Sequence, residues 1–155
     1  MKFYKLKHND KEVFLSSDEI LLPTDFVSDY ATITGLIPAD GEKWEVCLVT
    51  PNEYCKHLMD KVYKAFSDEL ETIKQSWIAK TVDEICSTCY MAVYISDVLN
   101  VLDDADASGF NYEVLESWLK NPKDMVNIIC NRIINHNCSS YNESICDYIN
   151  QGLEE

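Results

Sequence analysis

Few residues in this chain interrupt secondary structure, and few carry positive charge. Four Gly and four Pro in 155 residues exclude collagen-like and low-complexity chains. The glycines are isolated, so no backbone loop is available to cradle a phosphate. The three histidines, at 8, 57 and 136, have no matching nucleophile around them, so neither Ser-His-Asp nor Cys-His catalysis has a constellation to use. No enzyme is expected. Thirteen Lys and Arg stand against 27 Asp and Glu, a formal net charge of −14. Such a field repels nucleic acid and anionic lipid and attracts basic protein surfaces. The opening MKFYKLKHNDKE lacks the apolar run of a signal peptide, so secretion is not expected. Seven Cys is an odd number without framework spacing, which fits free thiols in a reducing compartment, and the sequons at Asn137 and Asn142 then read as chance.

The remaining candidates for site chemistry are incomplete. Cys86-Ser-Thr-Cys89 is a CxxC, but no second ligand pair completes a zinc site, and Asp83 and Glu84 before it raise thiol pKa values rather than lowering them. Both are expected to be core cysteines. Asp104-Ala-Asp106-Ala-Ser108-Gly109 matches the first half of a calcium loop, yet Leu115 occupies the twelfth position where a bidentate acid belongs. A capped turn is expected there, and no metal or other cofactor is expected anywhere in the chain.

The chain is richest in apolar residues between Thr81 and Asp103. Val82, Ile85, Cys86, Cys89, Ala92 and Val93 recur three and four apart, which predicts one buried helix face. Ser96-Asp97 offers an N-cap before a second apolar turn at Val98, Leu99, Val101 and Leu102, so a pair of helices is expected. Charge interrupts the stretch, which therefore reads as a core helix rather than a membrane span. Upstream, residues 3–7 and 12–16 alternate around a turn cluster at 8–11 and predict a hairpin. Ser16, Ser17 and Asp18 then offer caps for a short helix that Pro23 interrupts, with a continuation through Phe26 and Ile33.

Residues 44–49 predict a third strand, and Thr50-Pro51 opens a helix whose apolar face is Tyr54, Leu58, Met59, Val62, Tyr63 and Phe66, broken at Ser67-Asp68-Glu69. Downstream of Asp103 come three amphipathic helices: Tyr112–Lys120, Met125–Ile134 and Tyr141–Leu153.

This order of elements, with the motifs KLKHNDKEVFLSSDEI, VCLVTPNEYCKHLMDKVYKAF and AVYISDVLNVLDD, resembles the Skp family. That family comprises the adaptors that link F-box proteins to a cullin scaffold. Leu119-Lys-Asn-Pro122-Lys-Asp-Met125 is similar to the family's Pro-acidic-acidic-Ile helix start, and the closing Asn150-Gln151-Gly-Leu-Glu-Glu to its Asn-Gln-Trp-Cys-Glu-Glu ending. Gly152 and Leu153 replace the Trp-Cys, and Val93 replaces the Asn beside Tyr94.

The resemblance implies an α/β BTB/POZ domain over 1–103, a three-stranded sheet packed on helices, and a helical F-box-docking extension over 104–155. It implies a non-catalytic adaptor of a cullin-RING ubiquitin ligase in cytoplasm and nucleus, with cullin and F-box proteins as partners and neither nucleic acid nor membrane. Val93 and Tyr94 would meet the cullin. Pro122, Met125, Ile128, Ile129, Ile133, Ile145, Tyr148, Ile149 and Leu153 would meet the F-box, and part of that apolar face is expected to lie exposed in the free protein. The alternative is a BTB scaffold that self-associates without any ligase, with a homodimer as the unpartnered form.

Overall fold

The computed structural model describes residues 1–8, 11–18, 45–135 and 141–152. Alternation near the N-terminus produces a hairpin: strands β1 (Lys2–His8) and β2 (Lys11–Ser17) pair antiparallel, Lys5 opposite Phe14. Strand β3 (Glu45–Val49) pairs antiparallel with the other edge of β1, giving the order β2-β1-β3. The two-residue period puts Tyr4 and Leu6 on one face, where both are buried with Leu15 and Val46 against them. Lys5 lies on the other face, its Nζ 2.8 Å from Glu12 and 5.5 Å from the centroid of the Phe14 ring. Ser16 and Ser17 continue β2 rather than capping a helix. The helix expected after them, and its continuation to Ile33, lie outside the described residues.

Thr50 and Glu53 form a reciprocal cap: the Glu53 carboxylate accepts from the Thr50 backbone N–H at 2.8 Å, and the Thr50 hydroxyl accepts from the Glu53 N–H at 3.2 Å. Helix α1 (Pro51–Ser76) follows and does not break at Ser67. Asp68 is held one turn back by Lys64 at 2.8 Å, and its carbonyl accepts from the Thr72 hydroxyl, so the polar triplet is the solvent face of a continuing helix. Leu58, Met59, Val62, Phe66 and Leu70 run down the buried side.

By contacts the described chain divides within the first turn of α1, into Met1–Tyr54 and Cys55–Glu155. In the first unit Phe3 stacks on Tyr54, centroids 4.7 Å apart. The second unit is helical throughout: α2 (Val82–Asp104), α3 (Tyr112–Leu119), α4 (Pro122–Asn135) and α5 (Tyr141–Gln151) follow α1, with short 3-10 turns at Trp77–Ala79 and Ala107–Gly109. The described protein is thus mixed α/β and mostly helical, a three-stranded antiparallel sheet with five helices.

Helix α2 is continuous, against the expected pair. Ser96 does not cap; its hydroxyl donates to the Ala92 carbonyl at 2.7 Å and leaves the ladder intact. The cap sits at the start instead, where Thr81 and Glu84 repeat the reciprocal arrangement of Thr50 and Glu53.

The Thr81 backbone N–H and hydroxyl both donate to Glu84 and hold its carboxyl below the ordinary range. A depressed folded pKa contributes stability above the unfolded value that fades as pH falls through the folded one. Glu84→Gln is expected to keep the helix but to remove part of the acid dependence of unfolding, as checked by denaturant titrations between pH 3 and 7.

Candidate docking surfaces

Among the described residues no three His, Cys, Asp or Glu stand together as a metal site. The chain's candidate surfaces are apolar. The first lies on α4 and α5, and its residues are enclosed. Met125, Ile129, Ile145 and Ile149 are completely buried, and Ile133 and Tyr148 nearly so. Pro122 and Ile128 are half-buried, and Leu153 lies outside the described residues. Most of the face expected to stay open on these helices is therefore enclosed, with Pro122 and Ile128 still partly accessible.

The cause is α5 itself, which packs on α2, α3 and α4. A helix end leaves its last carbonyls without partners. Here the Trp118 indole N–H donates to the Ile149 carbonyl at 2.8 Å, and the Arg132 guanidinium donates to the Tyr148 carbonyl at 3.0 Å. The guanidinium also sits 5.8 Å from the centroid of the Trp118 ring. Asn150 accepts from the Asn111 N–H and donates to the Gly109 carbonyl. Gly152, at φ 67°, turns the chain in the left-handed region against Val114, where an added Cβ would come within 3.3 Å. Periodicity in the tail marked the apolar residues correctly, but the residues that fasten α5 over them are Trp118, Arg132 and Asn150, polar groups far apart in sequence.

Beside α4 a groove of about 490 Å³ remains, whose lining combines apolar Leu119, Pro122 and Val126 with the charged Lys61, Lys64, Lys123, Asp68 and Glu69.

The second surface is the first half of α2, and here most of the expected face is open, with Ile85 only half-buried. Ala92 is buried, but Val82, Cys86, Cys89 and Val93 are exposed, Val82 by 74% and Val93 by 56%. The buried line is instead Ala92, Ile95, Val98, Val101 and Leu102 in the second half. Apolar residues surround this helix, so periodicity could not decide which side faces inward. The half-buried Tyr94 meets Tyr90 edge to face at 6.2 Å. At the head of the helix the Trp77 indole donates to the Thr88 hydroxyl, and Ile78 stands 87% exposed. From residue 81 to 119 every charged side chain is a carboxylate. By length and composition α2 could also cross a membrane, with a mean hydropathy of 1.4 over its most apolar window, 22% of which is buried. Asp106, by contrast, caps a 3-10 turn by accepting from the Ser108 N–H at 2.9 Å.

No family model, curated protein or solved structure matches the chain.

Two predictions follow from these placements. Ile129→Asp would bury a carboxylate with no partner and is expected to unfold the helical unit, a cost of at least about 3 kcal/mol; loss of the cooperative transition by circular dichroism checks it. The thiols should differ sharply in reactivity. Burial, then the nearby Glu69, pushes Cys130 up to about 12, and burial raises Cys55 and Cys146. Iodoacetamide at pH 8 is expected to label exposed Cys86, Cys89 and Cys47 in the native protein, and Cys130 and Cys55 only in denaturant, as read by peptide mass spectrometry.

Proposed function

We propose that the chain is a non-catalytic protein adaptor of the kind its resemblance to the Skp family implies, with the exposed half of α2 as its scaffold-binding face. The observation that carries this reading is the uncovered apolar stripe ending at Val93, beside half-buried Tyr94, on a stretch charged only by carboxylates. An exposed apolar stripe stabilises a complex by leaving water, and its acidic flanks choose a basic counterpart and speed the encounter. A cullin is the partner that the resemblance names for these two residues. Bridging would raise the local concentration of substrate beside the ubiquitin-carrying enzyme without any chemistry in this chain. The BTB/POZ assignment belongs to the same proposal; a three-stranded sheet followed by helices is consistent with it.

The receptor arm takes a different form from the one expected. With α5 seated over Met125, Ile129 and Ile133, an F-box helix would have to displace a segment of the same chain or use the groove at Pro122. We place the receptor at that groove.

A purified cullin N-terminal domain is expected to bind the full chain with an affinity that falls as salt rises. Val93→Asp, at an exposed site that leaves folding intact, is expected to weaken binding at least about tenfold, or roughly 1.4 kcal/mol. Absence of binding, or binding indifferent to Val93→Asp, overturns the reading.

A further inference from the structure

Two of the exposed side chains on α2 are thiols one turn apart. Cys86 and Cys89 stand three residues apart on one side of a helix that is continuous through both, and both are exposed. The Cys89 thiol donates to the Cys86 carbonyl at 3.2 Å, which holds its sulfur over the turn that leads back to Cys86. Of the other described cysteines, Cys55 and Cys130 are buried, Cys146 is half-buried, and exposed Cys47 lies in β3 of the first unit. Among the described residues this is the one accessible pair of neighbouring thiols.

Spacing decides what can join the two sulfurs. Residues three apart on a helix hold their Cβ atoms about 5–6 Å apart. A disulfide needs about 3.5–4.5 Å between the same atoms, so a direct S–S bond would have to draw the helix in by roughly 1 Å. A single atom between the sulfurs removes that demand. Two metal–thiolate bonds of about 2.3 Å each hold the sulfurs up to roughly twice as far apart as an S–S bond of about 2.05 Å. The helix thus presents a dithiol already spread for a bridging ion.

Ligand number, softness and charge decide which ion. No group of three His, Cys, Asp or Glu includes the pair among the described residues. A structural zinc takes four ligands and calcium six or more oxygens, so neither is satisfied here. Thiolates are soft and select Cu(I), a closed-shell ion that two sulfurs in line can satisfy. From Val82 to Leu102 the charged side chains are Asp83, Glu84 and Asp97, a local field that concentrates cations.

We propose that Cys86 and Cys89 form a two-coordinate site for Cu(I). The ion binds without changing oxidation state. Each S–H gives its proton to water, each thiolate forms one S–Cu bond, and the bound unit carries a single negative charge. Two protons leave for each ion that enters, so affinity rises with pH below the range in which thiols ionise. The site does not depend on the adaptor reading.

The test is a titration of the full reduced chain, without oxygen, against Cu(I) held by bicinchoninate, whose coloured complex fades as the protein takes the ion. One ion per chain is expected to be withdrawn, with the helical circular dichroism signal unchanged. The apparent affinity is expected to rise about a hundredfold per pH unit between about pH 6 and 7.5. Cys86→Ser and Cys89→Ser, both at exposed positions, are each expected to weaken binding at least about a hundredfold, because each leaves a single thiolate; Cys47→Ser is expected to leave it unchanged. A chain that leaves the ion with bicinchoninate overturns the proposal, as does binding that neither Cys86→Ser nor Cys89→Ser moves. A rise of only about tenfold per pH unit, the mark of one thiolate, overturns it. So does one ion per two chains, which would place the metal between copies. Zn(II) retained through desalting as firmly as Cu(I) would reveal further ligands and overturn the two-coordinate site. Binding of the cullin domain without copper uptake removes only this site; copper uptake without cullin binding removes only the adaptor.

Discussion

The helical unit depends on the closure of α5 over α4. Its apolar face contributes Ile145, Tyr148 and Ile149, but burial alone would leave the carbonyls at the helix end without water or partner. Trp118 and Arg132 supply those partners from α3 and α4, and they do so from the side on which the apolar residues are buried. A buried indole bonded at one edge and packed over its whole ring specifies a single seating, because sliding the helix by one residue would cost both the bond and the fit. With α5 in that seat, a surface that the family resemblance assigns to another protein becomes the interior of this one.

Helix α2 inherits the consequence. Its second half is drawn into the same core through Ile95 and Val98, while Val82, Cys86, Cys89 and Val93 in its first half stay exposed. The capping box at Thr81 satisfies backbone groups at the head of the helix locally, and the Trp77 indole bonds the Thr88 hydroxyl one turn on. A helix that is half core and half exposed stripe gives a rigid mount to a binding surface. That combination, on a stretch carrying only negative charge, is what supports the proposed protein partner.

Element type was legible wherever a local rule sufficed. The alternation in β1 and β2, the Thr50-Pro51-Glu53 start and the amphipathic pattern of α3 and α4 each depend on neighbours within four residues. Errors arose where two local rules competed. Ser96-Asp97 has the chemistry of a cap, but within an established helix a serine hydroxyl bonds back to the preceding turn at no cost to the ladder. Ser67-Asp68-Glu69 has the polarity of a break, but a polar triplet on the solvent side of α1 is simply the outer face. The pairing of β3 with β1 lies between these cases, since its strand character is local and its partner is not.

The linear order of residues settled the charge and the positions of the apolar side chains, because each follows from composition or from short spacing. Which apolar residues are inside was settled by packing. Cys86, Cys89 and Val93 share a helix and a periodicity with Ala92, yet they lie in water while Ala92 is buried. Burial is a property of what stands opposite a side chain, and in this unit the opposing elements are up to some fifty residues away along the chain. Only when α5 takes its place over Trp118 does one apolar face become core and the other remain a surface.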